Sequence, residues 1–321
     1  MNDVVILNQE KIDPVSWDAL VTNCDGSIYN TYQYLSSCGE TWEALVVIID
    51  SKYICATPIH FRIKAGIKYI YQPPYIPFYE ILNIGGEDVH KKFINNLNIH
   101  LSAHKYIAKY FLRDDRFTPV NGFKIVEERG YHLPLNDTYE TIFKSYSKGR
   151  KAQVKQAKRN GQEIIQSEDL ELFLVLHEEH TLPKIHLISK WQYAFIKKLY
   201  RNLSKGYSLE ISFCQQNDKL SGGIIVLKFL SRIYYLDSFS TEAGRKHNSV
   251  TLLIDHVIQQ NLQTQYKFFD LGLKGTEGIE DFKRSFGATE YKITQVYKNS
   301  LPWYIKIPKV ILNSLGVATA K

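Results

Sequence analysis

Residues 209–236, LEISFCQQNDKLSGGIIVLKFLSRIYYL, decide the fold. Leu209 to Cys214 forms a strand, Gln216-Asn217-Asp218-Lys219 supplies turn-forming residues, Ser221 to Phe229 runs back, and Arg232 to Leu236 follows at once as a third strand. The same order stands earlier in the chain: Leu45 to Ile49, the turn Asp50-Ser51-Lys52, Tyr53 to Phe61, then Ile67 to Tyr71. Each meander is followed by a helix-forming stretch, Val89 to His104 and Val250 to Leu262. A short strand comes next in both cases, Lys109 to Leu112 and Phe268 to Leu271. This duplication predicts a mixed α/β (α+β) chain of two domains with one fold, each a mixed central sheet flanked by helices.

The chain has 321 residues, and at roughly 150 residues per domain that length also suggests two. Hydrophobic residues at 44% and charged residues at 23% exclude disorder, while 22 Tyr and 16 Phe against one Met mark an aromatic-packed interior. The longest apolar run, Ala44 to Ile49, falls far short of the ~18 residues a membrane span needs. Met1-Asn2-Asp3 lacks the basic start of a signal peptide, so a cytoplasmic protein is expected; a monomer is expected as well. Cys24, Cys38, Cys55 and Cys214 show no metal or redox spacing and are expected to be free thiols. The join is placed at residue 143, giving domains 1–143 and 144–299, with no low-complexity linker between them. Residues 300–321 are expected to fold back onto the first domain. The tail Pro302 to Leu312 alternates aromatic or apolar with basic residues, a pattern that also suits peripheral membrane contact.

Net charge is 40 minus 33, or +7. Lys144, Lys148, Arg150, Lys151, Lys155, Lys158 and Arg159 lie within one acid-free segment and alone equal that excess. The five lysines recur every three or four residues, which lines one helical face with cations. Unopposed cations gain by displacing counterions from phosphates, which suits tRNA, a nucleotide diphosphate or an anionic membrane; a solvated helix face is the bland alternative.

The order strand, turn, strand, aromatic strand, helix, strand, found twice, looks like a tandem pair of GNAT-type acyltransferase domains. Ser147 to Gly161, SKGRKAQVKQAKRNG, resembles the helix that opens the second domain of the Fem-type aminoacyl transferases (the FemABX family). Phe269-Asp270-Leu271-Gly272, then Glu277-Gly278-Ile279 and Phe282-Lys283-Arg284-Ser285-Phe286-Gly287, resembles that family's ending. With Trp42 and Gln72-Pro73-Pro74, the resemblance spans most of the chain. It implies a cytosolic enzyme, without a bound cofactor, that moves an aminoacyl group from aminoacyl-tRNA to an amine of a muropeptide precursor. Two features depart from the pattern. No long charged heptad region lies between Asp169 and Tyr207, so the helical arm of some members is not expected here, and with it one mode of tRNA contact. Glu242 to Asn248 offers one glycine and two cations where a coenzyme A pyrophosphate loop would need several glycines, which weighs against acyl-CoA as the alternative donor.

Acyl transfer to an amine requires a fixed carbonyl and stabilisation of the developing oxyanion. Positioning two reactants contributes about 7 to 11 kcal/mol, so no protein nucleophile is required. The resemblance puts Lys283 at the phosphates and leaving group. Phosphate or substrate contact is expected of Lys148, Arg150, Lys151, Lys155 and Arg284. Asp270 either orients the amine or caps the following loop. Tyr235 and Asp237 are expected on one strand face, pointing into a cleft between splayed strands Gly223 to Leu227 and Ile233 to Asp237. Gly222-Gly223 would admit substrate close to the backbone, or mark a bulge. His177-Glu178-Glu179-His180 fits neither zincin spacing, and no metal is expected. G-x-S-x-G, P-loop and Rossmann fingerprints do not occur. A non-catalytic module binding tRNA or membrane through the basic helix is the reading from a different class.

Overall fold

Both meanders form, and both turn in the same way. Asn217 (φ 50°) and Asp218 (φ 61°) take left-handed backbone, as do Asp50 (φ 48°) and Ser51 (φ 63°). Paired positive φ values of this kind match the twist of a two-residue hairpin. Each hairpin also carries a bulge just before its turn, at Val47/Ile48 and at Cys214/Gln215.

The computed structural model describes residues 4–181, 190–201 and 206–302. Its first elements are β1 (Val4–Asn8), α1 (Pro14–Asn23), α2 (Tyr32–Ser37), β2 (Trp42–Ile49), β3 (Lys52–Lys64), β4 (Ile67–Ile70), β5 (Tyr79–Glu80) and β6 (Leu82–Asn83). Next come α3 (Gly86–Ala103), β7 (Tyr106–Arg113), β8 (Lys124–Pro134), α4 (Tyr139–Ser145), α5 (Lys148–Arg159), β9 (Glu163–Ser167), α6 (Leu170–Thr181) and α7 (Lys190–Arg201). The rest are β10 (Tyr207–Gln216), β11 (Lys219–Phe229), β12 (Arg232–Ser240), α8 (Glu242–His247), α9 (Ser249–Asn261), β13 (Phe268–Leu273), α10 (Glu277–Arg284) and β14 (Thr289–Asn299).

These elements form two compact units. Among the described residues, one unit holds 4–20, 40–127 and 293–302, and the other holds 21–39 and 128–292. The division falls inside β8, ahead of the join expected at residue 143. Only the His132 end of that strand is apolar enough to be read from sequence; Lys124 to Arg129 is charged and mostly exposed. The chain re-enters the first unit at Ile293, before residue 300. Ser300 donates its N–H to the Lys105 carbonyl at 2.8 Å. Beyond Pro302 the expected fold-back and the basic, aromatic tail lie outside the described residues.

In the first unit the strands run β1-β2-β3-β4-β7-β14, with β5 on β7 and β6 on β3. α3 covers them with Phe93, Ile94, Leu97 and Leu101, buried at helical spacing. Trp17 and Trp42, both fully buried, meet edge to face at 5.3 Å. In the second unit the order is β8-β13-β12-β11-β10-β9, and only β12 and β13 pair in parallel. α9 is buried on most sides through Leu252, Leu253, Ile254, Val257 and Ile258. Each such side chain contributes about 1.5 to 3 kcal/mol on burial, so this helix anchors the unit. Among the described residues no helix is long and apolar enough to cross a membrane.

The basic segment is broken where the lysine spacing predicts one helix. Tyr146 is buried and extended (ψ 142°), and Ser147 caps α5 by accepting from the Arg150 N–H at 3.2 Å. Lys144 therefore ends α4 and does not join the row on α5.

Candidate active site

Parallel neighbours have no hairpin to hold them together, and β12 and β13 part early. They pair through Arg232↔Phe268, Ile233↔Phe269 and Tyr234↔Asp270, and there the pairing ends. β12 continues along β11, while β13 bulges and continues along β8 to Leu273↔Gly130. The splay thus opens beside Asp270. The cleft expected between β11 and β12 does not exist: those strands are hydrogen-bonded from Gly222↔Ser240 to Phe229↔Arg232, because a hairpin joins them.

Asp270 is buried at the end of this pairing. Its carboxylate accepts from the Gly272 N–H at 2.7 Å and from the Tyr291 hydroxyl at 3.0 and 3.2 Å. Tyr291 reaches it by lying across β8 at Gly130, where a Cβ would stand 2.1 Å from the tyrosine ring. No signal in the sequence distinguishes that glycine from an ordinary one. Burial, reinforced by the Asp270 charge, holds the Tyr29 hydroxyl well above the usual tyrosine range.

Lys283 comes to the same place from α10. Its ammonium donates to the Leu273 carbonyl and lies 5.5 Å from the centre of the Tyr131 ring. Burial pulls it down to about 8, against the opposing pull of Asp270 and Glu280. A cation in so dry a setting acts on developing negative charge more strongly than one in water. The structure therefore brings Lys283 and Asp270 together. It does not add Arg284, whose guanidinium is held by Glu280, Asp281, Glu290 and the Tyr131 hydroxyl.

The other expected residues go elsewhere. β12 has a bulge opposite Ile225/Val226, so Tyr235 pairs with Val226 and Asp237 with Ile225. The extra residue, Leu236, breaks the alternation and separates Tyr235 from Asp237. Tyr235 packs on the core that α9 builds and its hydroxyl bonds Ser238. Asp237 instead meets His177 Nε2 of α6 at 3.0 Å, and His177 Nδ1 meets the Tyr193 hydroxyl at 2.9 Å. A half-buried Tyr193–His177–Asp237 chain thus forms at a segment that the sequence marked only as lacking a zincin spacing. Gly223 admits no substrate, since a Cβ there would stand 2.5 Å from the Phe239 ring; it is small for the sake of core packing.

Arg150 is also not a free cation. It is buried, donating Nε to Ser285 at 2.9 Å and Nη1 to Gln153 and Thr251 at 2.7 and 2.6 Å, over the rings of Phe282 and Phe286. Burial lowers it to about 10. Lys158 pairs with buried Asp255 at 3.3 Å, and Lys151 donates to the Lys144 carbonyl. Lys148 and Lys155 remain exposed on α5.

Ahead of α9, where a pyrophosphate loop was looked for, stands the short helix α8. Thr241 caps it by accepting from the Gly244 N–H at 3.0 Å. An added Cβ on Gly244 would lie 1.7 Å from the Ser221 carbonyl, so this glycine serves contact with β11. Asn248 (φ 64°) closes α8 and leads into α9.

Residues 147–292 match the sequence profile of the acetyltransferase (GNAT) domain. No curated protein sequence matches the chain significantly. Among solved structures, FemX is similar over 92% of this chain and 98% of its own, at 12% identity and a TM-score of 0.65. L-PGS from Bacillus licheniformis is similar at 11% identity and a TM-score of 0.53, over 93% and 96% of the two chains. A tandem GNAT protein from the clavulanic acid biosynthesis pathway is similar at 9% identity and 0.54, over 94% and 99%. Residues 147–292 are accordingly a GNAT domain, and the chain is an acyltransferase with the tandem fold that it shares with FemX.

Proposed function

We propose that the protein is a Fem-type N-acyltransferase that moves an aminoacyl group from aminoacyl-tRNA to an amine of a peptidoglycan precursor. The observation that carries the choice of donor is α8. A coenzyme A pyrophosphate needs bare amides on a glycine-rich approach, and here the one glycine of that segment is pressed against Ser221. The likeness to FemX supports the same reading. Lys148 and Lys155 supply exposed charge for the tRNA phosphates, while Arg150, Lys151 and Arg284 take other roles.

In this reaction the neutral amine attacks the ester carbonyl, an amide C–N bond forms, the ester C–O bond breaks, and the amine proton ends on the ribose oxygen. Asp270 orients the amine through its carboxylate. Lys283 stabilises the oxyanion and the departing oxygen. Tyr291 holds the carboxylate through its hydroxyl, and the Tyr131 ring stands against the lysine.

A second reading, acyl-CoA as donor, is favoured by the match of residues 147–292 to the acetyltransferase profile. Incubation with charged tRNA and with acyl-CoA separately, each with a precursor mixture, decides between them by mass spectrometry. The expected result is label transfer from charged tRNA alone, abolished by Lys283→Met. Transfer from acyl-CoA alone establishes the second reading, and transfer from neither overturns both.

A further inference from the structure

The first unit holds a cluster that acyl transfer does not use. His100 and His104 stand one turn apart at the end of α3, and Glu43 reaches them from β2. One ligand atom from each lies within 4.8 Å of the other two. Glu43 is 2% exposed, yet its Oε1 has no hydrogen-bond partner of good geometry, and neither does His100 Nε2. These two atoms face each other at 3.2 Å, an ion pair only when the imidazole is protonated. Two ligands at about 2.0 to 2.1 Å from one tetrahedral ion stand roughly 3.3 to 3.4 Å apart, so the separation is that of neighbouring ligands on a metal.

We propose that Glu43, His100 and His104 form a zinc site that fastens the end of α3 to the sheet of the first unit. The set of two imidazoles and one carboxylate suits zinc, with a water in the fourth position. The surrounding groups fix the ligands. Lys68 holds the other Glu43 oxygen, Oε2, at 2.6 Å, which turns Oε1 toward the histidines. The His104 ring is steadied by a hydrogen bond with the Lys68 main chain. His100 and His104 are only half-buried, so an ion has a way in. The Lys68 charge opposes the ion, and this makes it a sensitive probe. Zincin spacings are not the signal here: a lone H-x-x-x-H at a helix end acquires meaning only through Glu43, far away in sequence.

The test titrates the full chain, stripped with a chelator and dialysed, with Zn²⁺ by calorimetry and with Co²⁺ by visible absorbance. One saturable equivalent of Zn²⁺ is expected, with the intense Co²⁺ bands of four-coordinate geometry. His100→Gln and His104→Gln should each weaken binding about 10- to 100-fold, and Lys68→Met should tighten it. Zn²⁺ should raise the melting temperature of the wild type and not of His104→Gln. Because Glu43→Gln buries an altered group and could unfold the unit, the half-buried histidines carry the decision. Absence of a saturable equivalent, or an isotherm unchanged in both histidine variants, overturns the site.

Discussion

The two meanders share turns, bulges and strand order but fill the gap beside their parallel pair in opposite ways. In the first unit β4 and β7 pair in parallel at Ile70↔Ile107, and the following segment closes the opening itself. Gln72 is buried there, donating to the Ile76 carbonyl at 2.7 Å and accepting from the Phe111 N–H at 2.6 Å. β5 then lies along β7, and Tyr79 bonds His60 at 2.7 Å. In the second unit the corresponding gap is lined by a buried carboxylate and a desolvated ammonium. A duplicated scaffold offers two openings, and the proposed function assigns the chemistry to the one that is left charged.

The largest break in that contrast should come from Lys283→Met. Losing one stabiliser of the developing charge costs about 10² to 10³ in turnover, or roughly 2.7 to 4 kcal/mol. The melting temperature should hold or rise. Lys283 gives up its proton near 8 instead of 10.5, so across that window the folded chain binds fewer protons than the unfolded one and stability increases with pH. Wild-type turnover should fall as pH rises through about 8, where the ammonium is lost. If the Met variant keeps turnover within about twofold, the assignment fails.

Arg150→Gln should act on folding rather than on donor binding. Its guanidinium joins α5 to Ser285 and Thr251, and breaking charged, buried hydrogen bonds costs about 1.5 to 3 kcal/mol. Denaturant melts should show that loss with unchanged donor affinity; weaker donor binding at full stability would restore it as a phosphate ligand. Gln72→Ala leaves the Phe111 N–H and Ile76 carbonyl unpaired and should cost about 1 to 2 kcal/mol. Turnover of the surviving folded fraction should not change, and a loss there would mean that the closed gap takes part in chemistry. The smallest effect is expected from Lys148→Gln with Lys155→Gln. Each phosphate contact removed should flatten the salt dependence of donor binding by roughly 0.7 to 0.9 in slope, and an unchanged slope leaves α5 a solvated face.

The fold was legible because hairpins are local: turn residues and apolar runs at 45–71 and 209–236 lie side by side in the chain. Lys283 and Asp270 were singled out through a resemblance, not through physics, and the structure sets them near each other. What stayed hidden depended on contacts distant in sequence. Arg150 looked like one more cation until Phe282, Phe286 and Thr251 surrounded it. One extra residue in β12 separated Tyr235 from Asp237, and alternation counted along a strand cannot register a bulge. His177 gained its role from Asp237, sixty positions away. The splay was placed at the wrong strand pair because sequence shows where strands are but not which neighbours pair in parallel.

The role proposed for Lys283 carries a liability of its own. With a pKa of about 8, roughly a tenth of the molecules hold it as a free amine at pH 7. Next to an activated ester such an amine is a competing acceptor, and one stray transfer would leave the enzyme acylated and inert. Its bond to the Leu273 carbonyl is a leash that fixes the nitrogen beside the end of β13 and so works against that side reaction.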